Sequence, residues 1–221
     1  MAKYYIGFDA GTQSVKVVIY NLDMECIAEA GYPTKIDYPQ PGWVQMDING
    51  YLEAVKLGMR DCVNIMKEKD ADPKDIRSIF GDGIICGIVG IDEEGDAITP
   101  YINYMDTRTQ EDAMGLDIWA KETGNAVANS MFPAMFARWF LKNDKDFQER
   151  GVKFIHNAPY VLMHLAGNKA ADAAEDWGVI SGWGLGYDIY KKNGHRNSSR
   201  FWASIRLTCR RSSNLGTSSA A

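Results

Sequence analysis

Ile6-Gly7-Phe8-Asp9-Ala10-Gly11-Thr12-Gln13-Ser14-Val15-Lys16-Val17-Val18-Ile19-Tyr20-Asn21 reads as a strand, a tight turn and a second strand. Tyr4 to Phe8 and Val15 to Tyr20 are rich in β-branched and aromatic residues, and the turn residues between them suit a hairpin. Gly11 stands where the chain must reverse. A glycine there lets backbone N–H groups approach an anion, and Thr12, Gln13 and Ser14 add side-chain donors. Asp9, ending the first strand, is placed to hold Mg²⁺ directly or through water, and Lys16 to meet a phosphate charge. The same residues also make an ordinary hairpin with a polar turn, and taken alone they favour it, because D-x-G-T turns are common.

Working outward, a third strand is expected at Cys26 to Ala30 after the turn Asn21-Leu22-Asp23, giving an antiparallel meander. Tyr38-Pro39-Gln40-Pro41-Gly42-Trp43 breaks the pattern as a loop. Asp47 or Asn49 can cap a helix whose apolar positions Leu52, Val55, Met59, Cys62, Val63 and Met66 recur at helical spacing. Strands are expected at Ile76 to Phe80 and, across Gly81-Asp82-Gly83, at Ile84 to Ile91. Glu93 to Asp96 reads as a solvated turn. Thr107 can cap a helix from Gln110 toward Lys121, with Asp106 and Arg108 at its mouth, where they contact a polar ligand or pair with each other. On the residues alone the ion pair is favoured. Phe132 to Leu141 is an apolar helix with Pro133 tolerated at its start, its rings Phe136, Trp139 and Phe140 read as core. A strand at Val152 to His156 and a helix at Pro159 to Leu165 follow. Asp172 to Asp188 has no assigned structure.

The chain has 221 residues, 46% hydrophobic and 24% charged, enough to bury a real core. No apolar run approaches membrane-spanning length, and Met-Ala-Lys-Tyr-Tyr leads into a strand without a signal-peptide pattern, so the expected location is cytoplasmic, with no membrane partner. Cys26, Cys62, Cys86 and Cys209 are scattered, with no metal-ligand spacing to the histidines, and read as free thiols. The net charge of −5 hides an asymmetry. After Asp188 there is no acidic residue and seven basic ones, which leaves the preceding body with 17 Lys+Arg against 29 Asp+Glu. A body near −12 is no nucleic-acid binder.

The order of landmarks resembles the N-terminal half of the FGGY family of carbohydrate kinases, over Tyr4 to Asp188. G-F-D-A-G-T-Q-S-V-K is similar to the family's first phosphate loop, P-G-W-V-Q-M-D to its P-G-W-x-E-x-D element, and I-N-Y-M-D-T-R to its W-x-D-x-R element. E-T-G-N followed by M-F-P-A-M-F-A-R-W-F-L-K-N is similar to the first family signature. The resemblance implies an α/β fold: a ribonuclease H-like domain of the actin and sugar-kinase superfamily, with a mixed sheet flanked by helices. It implies ATP and Mg²⁺ as cofactors, contacted by Asp9, Gly11, Thr12, Gln13, Ser14 and Lys16, with Asp9 the metal residue. It implies a sugar or polyol as small-molecule partner. The family's S-G-Q-M-H-G segment falls on Asp82-Gly83-Ile84-Ile85-Cys86-Gly87, so Asp82, Ile85 and Cys86, with Asp106 and Arg108, become substrate-side residues. Four positions of that segment differ here. The usual lysine of the signature is Phe136, and a substrate tyrosine of glycerol-type members is Met131, which argues against glycerol.

The implied reaction is in-line transfer of the ATP γ-phosphoryl group to a hydroxyl, of pentulose type. The aspartate that accepts the proton, and the adenine loops, belong to a second half that this sequence lacks, so the fragment is expected to be inactive alone. The alternative is a non-catalytic nucleotide- or partner-binding module of the actin-like superfamily. The expected domains are 1–192, an incomplete kinase N-terminal domain, and 193–221, an aberrant, poorly ordered tail. Reading across codon borders from about Asn193, one permitted codon choice gives W-S-Q-E-Q-Q-P-V-L-G-I-D-P and continues the family pattern to Ala221. A one-base insertion that puts the tail out of frame accounts for this; the rival is an Arg/Ser-rich arm that binds RNA or an acidic partner.

Overall fold

Three strands and a helix, all local in sequence, build the half of the molecule that carries the Gly11 turn. The computed structural model describes residues 3–111, 122, 124, 130–175, 177–184, 187–191 and 193–194. β1 (Tyr4–Ala10), β2 (Ser14–Asn21) and β3 (Cys26–Pro33) form the antiparallel meander. The Asn21 Oδ1 atom accepts the N–H groups of Asp23 and Glu25, which closes the β2–β3 turn. Alternation along β1 and β2 sends Ile6, Phe8, Val15, Val17 and Ile19 to the buried face.

That face is covered by α1 (Ile48–Glu68), whose N-cap is Asp47, with its carboxylate accepting the Asn49 N–H at 3.0 Å. Leu52, Val55, Cys62 and Met66 face the sheet, and the Cys62 thiol donates to the Val17 carbonyl at 3.4 Å. Burial pushes that thiol up to about 11. Beyond α1 the chain returns as β6 (Ile76–Gly83), parallel to β1, completing a mixed sheet in the order β3-β2-β1-β6.

The second sheet is antiparallel, in the order β4-β5-β8-β7-β9, from β4 (Ile36–Asp37), β5 (Gln45–Met46), β7 (Gly87–Ile91), β8 (Tyr101–Asn103) and β9 (Lys153–Ile155). Ile88, Ile102, Phe140, Phe147 and Phe154 meet Phe136 and Ala137 of α2 (Pro133–Asn143) in a second core, so Phe136 and Phe140 are core rings as expected. A short α3 (Lys145–Arg150) and then α4 (Asn157–Leu165) follow, with α4 packing on β6, β1 and α1. α5 (Trp177–Ser181) and the pair β10 (Tyr187–Asp188) and β11 (Asn193–Gly194) give structure to the stretch left unassigned.

One expected strand is divided differently. Gly81 to Gly83 continue β6, because β1 runs beside them as far as Ala10, while Ile84 to Cys86 leave the strand and only Gly87–Ile91 forms β7. Of the helix expected over Gln110 to Lys121, Gln110 and Glu111 form a turn and residues 112–121 lie outside the described residues, as does the tail expected over 193–221 beyond Asn193–Gly194.

Gly58 marks the closest approach of α1 to the sheet, for a Cβ there would lie 2.6 Å from Val17 Cγ2. Alanine's helix propensity favours the change by about 1 kcal/mol. The stiff β-branched Val17 must still move, at about 1–3 kcal/mol. The overlap wins, so Gly58→Ala is expected to lower stability by about 1 kcal/mol in urea unfolding, and Gly58→Val by more.

Candidate functional site

Four successive carbonyls of the Gly11 turn are held by groups from elsewhere in the chain. Asn157 Nδ2 donates to Ala10 O at 2.7 Å, Tyr51 Oη to Gly11 O at 3.0 Å, Thr34 Oγ1 to Thr12 O at 2.5 Å, and the Thr34 N–H to Gln13 O at 3.0 Å. The Gly11 N–H closes the turn on Ser14 O at 3.2 Å, and a Cβ at Gly11 would press on that oxygen at the same distance, with the Asp9 carboxylate 3.5 Å away. Burial, with the Asp9 charge adding to it, raises the Tyr51 phenol well above its ordinary range and keeps it a donor.

Asp9, Lys16 and Asp82 form a charged row across this end of the sheet. Asp9 is the register partner of Lys16 on β2 and of Asp82 on β6, and all three are exposed on one face. Two carboxylates side by side on adjacent strands offer hard oxygen ligands of the kind Mg²⁺ takes with water completing the shell. Among the described residues no group of three or more His, Cys, Asp or Glu side chains gathers around a common point.

A cleft of about 440 Å³ opens beside the turn. Gly11 and Thr12 form one wall, Gly83 to Cys86 the other, and Tyr104 and Met131 complete it. The structure thus brings the phosphate-turn candidates Gly11 and Thr12 together with Ile85 and Cys86 from the substrate segment. Burial raises the Cys86 thiol above its ordinary range. Met131 is at the cleft, whereas Phe136, the other departure from the signature, is fully buried in the second core.

Asp106 and Arg108 are placed elsewhere. Their side chains are 0% and 2% exposed and form a two-pronged pair, Arg108 Nε to Asp106 Oδ1 at 2.9 Å and Nη2 to Oδ2 at 2.8 Å. The guanidinium lies over the Trp43 ring at 3.7 Å and the Trp139 ring at 4.8 Å. Asp106 Oδ2 also accepts the Val44 N–H at 2.6 Å, while the Thr107 N–H reaches Gly42 O at 2.8 Å. Gly42 has φ +81°, and a Cβ on it would strike Thr107 Oγ1 at 2.5 Å. P-G-W-V and M-D-T-R are therefore two sides of one unit joined through a buried ion pair, and its neighbour Tyr104 is the residue of that segment that reaches the cleft.

Asn157, Tyr51 and Thr34 were not visible as site residues. Asn157 is buried, and besides Ala10 O it binds the Ile84 N–H through Oδ1 at 3.1 Å, so one side chain spans both cleft walls. Its neighbour His156 holds Glu175 through its backbone N–H at 2.8 Å and lies 3.1 Å from the same carboxylate through Nδ1. Position in a local pattern gave no signal for these residues, since each acts across a long sequence separation.

The family model for the FGGY family of carbohydrate kinases, N-terminal domain, matches residues 4–192. A xylulose kinase of Staphylococcus xylosus is 26% identical over 183 residues, 80% of this chain and 37% of that protein. A glycerol kinase of Nitratidesulfovibrio vulgaris is 27% identical over 157 residues, 65% of this chain and 29% of that protein. Among solved structures, a Brucella ovis xylulose kinase superposes with a TM-score of 0.80 at 22% identity, covering 90% of this chain and 40% of that one. A Plasmodium falciparum glycerol kinase with ADP gives 0.79 at 16% identity, covering 91% and 41%. These likenesses establish the α/β sugar-kinase fold. The chain spans 37% of the length of the xylulose kinase and 29% of the glycerol kinase.

Removing Arg108 leaves the Asp106 carboxylate buried and unpaired, a change worth about 3–5 kcal/mol in such settings. Arg108→Ala is expected to lower unfolding stability by that amount. Arg108→Lys should recover only part, since an ammonium neither forks onto the carboxylate nor lies flat over the Trp43 ring. A loss under about 1 kcal/mol in Arg108→Ala would show that the pair does not hold this unit together.

Proposed function

The chain belongs to the FGGY family of carbohydrate kinases, and from that premise we propose that it supplies the phosphate-binding turn and one substrate wall of an ATP-dependent kinase acting on a sugar or polyol hydroxyl, of pentulose type. The observation that carries this reading is the shared cleft, with Gly11 and Thr12 facing Ile85 and Cys86 across one opening. On this reading the turn's N–H groups and the Thr12, Gln13 and Ser14 side chains receive the ATP phosphates, and Lys16 meets their charge. Asp9, with Asp82 beside it in register, holds Mg²⁺ directly or through water. Mg²⁺ bound there neutralises charge on the phosphates during transfer. Ile85 and Cys86 of the cleft lining face the substrate, Asp82 stands next to that lining at Gly83, and Asp106 and Arg108 act on the substrate through the unit that carries Tyr104.

The proton acceptor for the attacking hydroxyl is assigned to a part of the kinase outside this sequence, so the chain alone binds without turning over. Residues 193–221 are assigned to an out-of-frame translation; resequencing that returned an intact frame with the same tail would remove the assignment. The proposed location is the cytoplasm, and no helix among the described residues is long and apolar enough to cross a membrane.

A second reading, a non-catalytic nucleotide- or partner-binding module, draws on the chemistry of the cleft, where Ile84, Ile85 and Met131 stand among few polar groups. A thermal-shift panel of pentuloses, polyols and gluconate, each with and without Mg-ATP, separates the two. A ligand that binds only the folded chain and is present at 100 times its Kd adds about 2.7 kcal/mol of stability. Stabilisation by a sugar supports the kinase reading; stabilisation by nucleotide alone supports the module. Sugar-dependent ADP formation by the chain alone, in a coupled assay, would overturn the assignment of the acceptor elsewhere.

Cys86 reports on the same cleft. Because its thiol is raised, its thiolate fraction near pH 8 is smaller than that of a free cysteine. Iodoacetamide modification of Cys86 is expected to be slow at pH 8, to keep rising past pH 9, and to slow further when the cleft is filled. Equal rates with and without a stabilising ligand would place that ligand elsewhere.

A further inference from the structure

The carbonyl tethers of the turn have a directional effect on its N–H groups. A trans peptide is flat, and its carbonyl and the following N–H point in opposite directions. Fixing Gly11 O on Tyr51 Oη therefore also fixes the Thr12 N–H, and fixing Thr12 O on Thr34 Oγ1 fixes the Gln13 N–H. Both N–H groups are free of hydrogen-bond partners among the described residues. Tyr51 reaches the turn from α1, Thr34 from the end of β3 and Asn157 from α4, so three separate elements converge on consecutive carbonyls.

We propose that Tyr51, Thr34 and Asn157 are positioning residues of an anion site, which hold the carbonyls of Ala10, Gly11 and Thr12 inward so that the N–H groups of Thr12 and Gln13 are presented to a polyphosphate. The identity of the anion rests on the kinase reading above; the tethering does not. The arrangement suits a polyphosphate because an anion meeting carbonyl oxygens would be repelled, and here those oxygens are already occupied. Asn157 adds a coupling between the walls, since its amide holds Ala10 O and the Ile84 N–H together. The fit is close on the second side, where a Cβ on Gly83 would lie 2.6 Å from Asn157 Oδ1.

The test uses the full chain, inorganic tripolyphosphate as the probe, and amide resonances of Thr12 and Gln13 as a ligand-free readout. Tyr51→Phe deletes one oxygen and keeps the ring, Thr34→Val deletes the hydroxyl and keeps the shape, and Thr34→Ser restores the donor. Tyr101→Phe is the control, since its hydroxyl is buried but touches no carbonyl of the turn. Tyr51→Phe and Thr34→Val are each expected to weaken tripolyphosphate binding about tenfold in titration calorimetry, the scale of one lost hydrogen bond. Thr34→Ser and Tyr101→Phe should bind like the unaltered chain. Without ligand, Tyr51→Phe should displace the Thr12 amide resonance and Thr34→Val that of Gln13. A role in stability alone would lower unfolding midpoints and leave binding by the folded fraction unchanged, which overturns the proposal. Amide resonances unmoved by either variant overturn the tethering while leaving the kinase reading intact. Absence of tripolyphosphate binding to the unaltered chain, with the resonances displaced as expected, overturns the anion assignment together with the reading it rests on.

Discussion

The parallel pairing of β1 with β6 is the constraint from which the site follows. It sets Asp9 beside Asp82 and Ala10 beside Gly83, residues separated by four strands and a long helix. Because the strands run the same way, both end at one edge of the sheet, and their chains part there, one into the Gly11 turn and the other into Gly83 to Cys86. Ligands in open α/β sheets bind where strand ends diverge in this way. Asn157 spans the divergence and hydrogen-bonds both sides, which satisfies buried backbone groups that would otherwise be left unpaired.

The buried pair of Asp106 and Arg108 solves a different problem. Fully desolvated, an ion pair of this kind offers little net stability over an apolar replacement, since the cost of leaving water offsets the attraction. Its value lies in geometry. Trp43 and Trp139 both contact the guanidinium, the guanidinium fixes both carboxylate oxygens, and the carboxylate fixes the Val44 N–H. The P-G-W-V loop is thereby locked against the M-D-T-R segment, and Tyr104 is carried to the cleft. The two sequence motifs occur together because each supplies half of one interaction.

Much of the fold was legible because its signals are local. β-branched and aromatic residues marked β1 and β2, the turn from Asn21 to Asp23 marked β3, the three-and-four spacing from Leu52 to Met66 marked α1, and Asp47 or Asn49 marked its start. Pro133 marked the start of α2. The division between β6 and β7 was misplaced because Gly81-Asp82-Gly83 looks like a turn in isolation, and only the neighbouring β1 extends the strand through it. The Gly11 turn was legible as a candidate, but its support was not. Tyr51 reads as one more aromatic residue on a helix, Thr34 as a polar residue after a strand, and Asn157 as the residue beside a histidine. Their common function arises only from three elements meeting. Arg108 was legible as a partner for Asp106; that its guanidinium also meets two tryptophans was not, because Trp139 lies on the distant α2.

On the proposed reading, the polarity of the cleft bears on what this chain would contribute to phosphoryl transfer. A site that recognises hydroxyls needs donors and acceptors converging on them, since an unpaired polar group is what rejects a wrong ligand. Here the wall proposed to face the substrate presents Ile84, Ile85, Cys86 and Met131, with Ile85 53% exposed and Tyr104 38% exposed. An apolar wall open to water excludes nothing and orients little. The turn is the reverse case, with the carbonyls of Ala10 to Gln13 tethered and two N–H groups directed by rigid peptides. On the proposed reading, then, the chain brings a preorganised phosphate cradle and a hydrophobic backstop. Hydroxyl recognition, the proton acceptor and the exclusion of water have to come from polypeptide that closes over the open side.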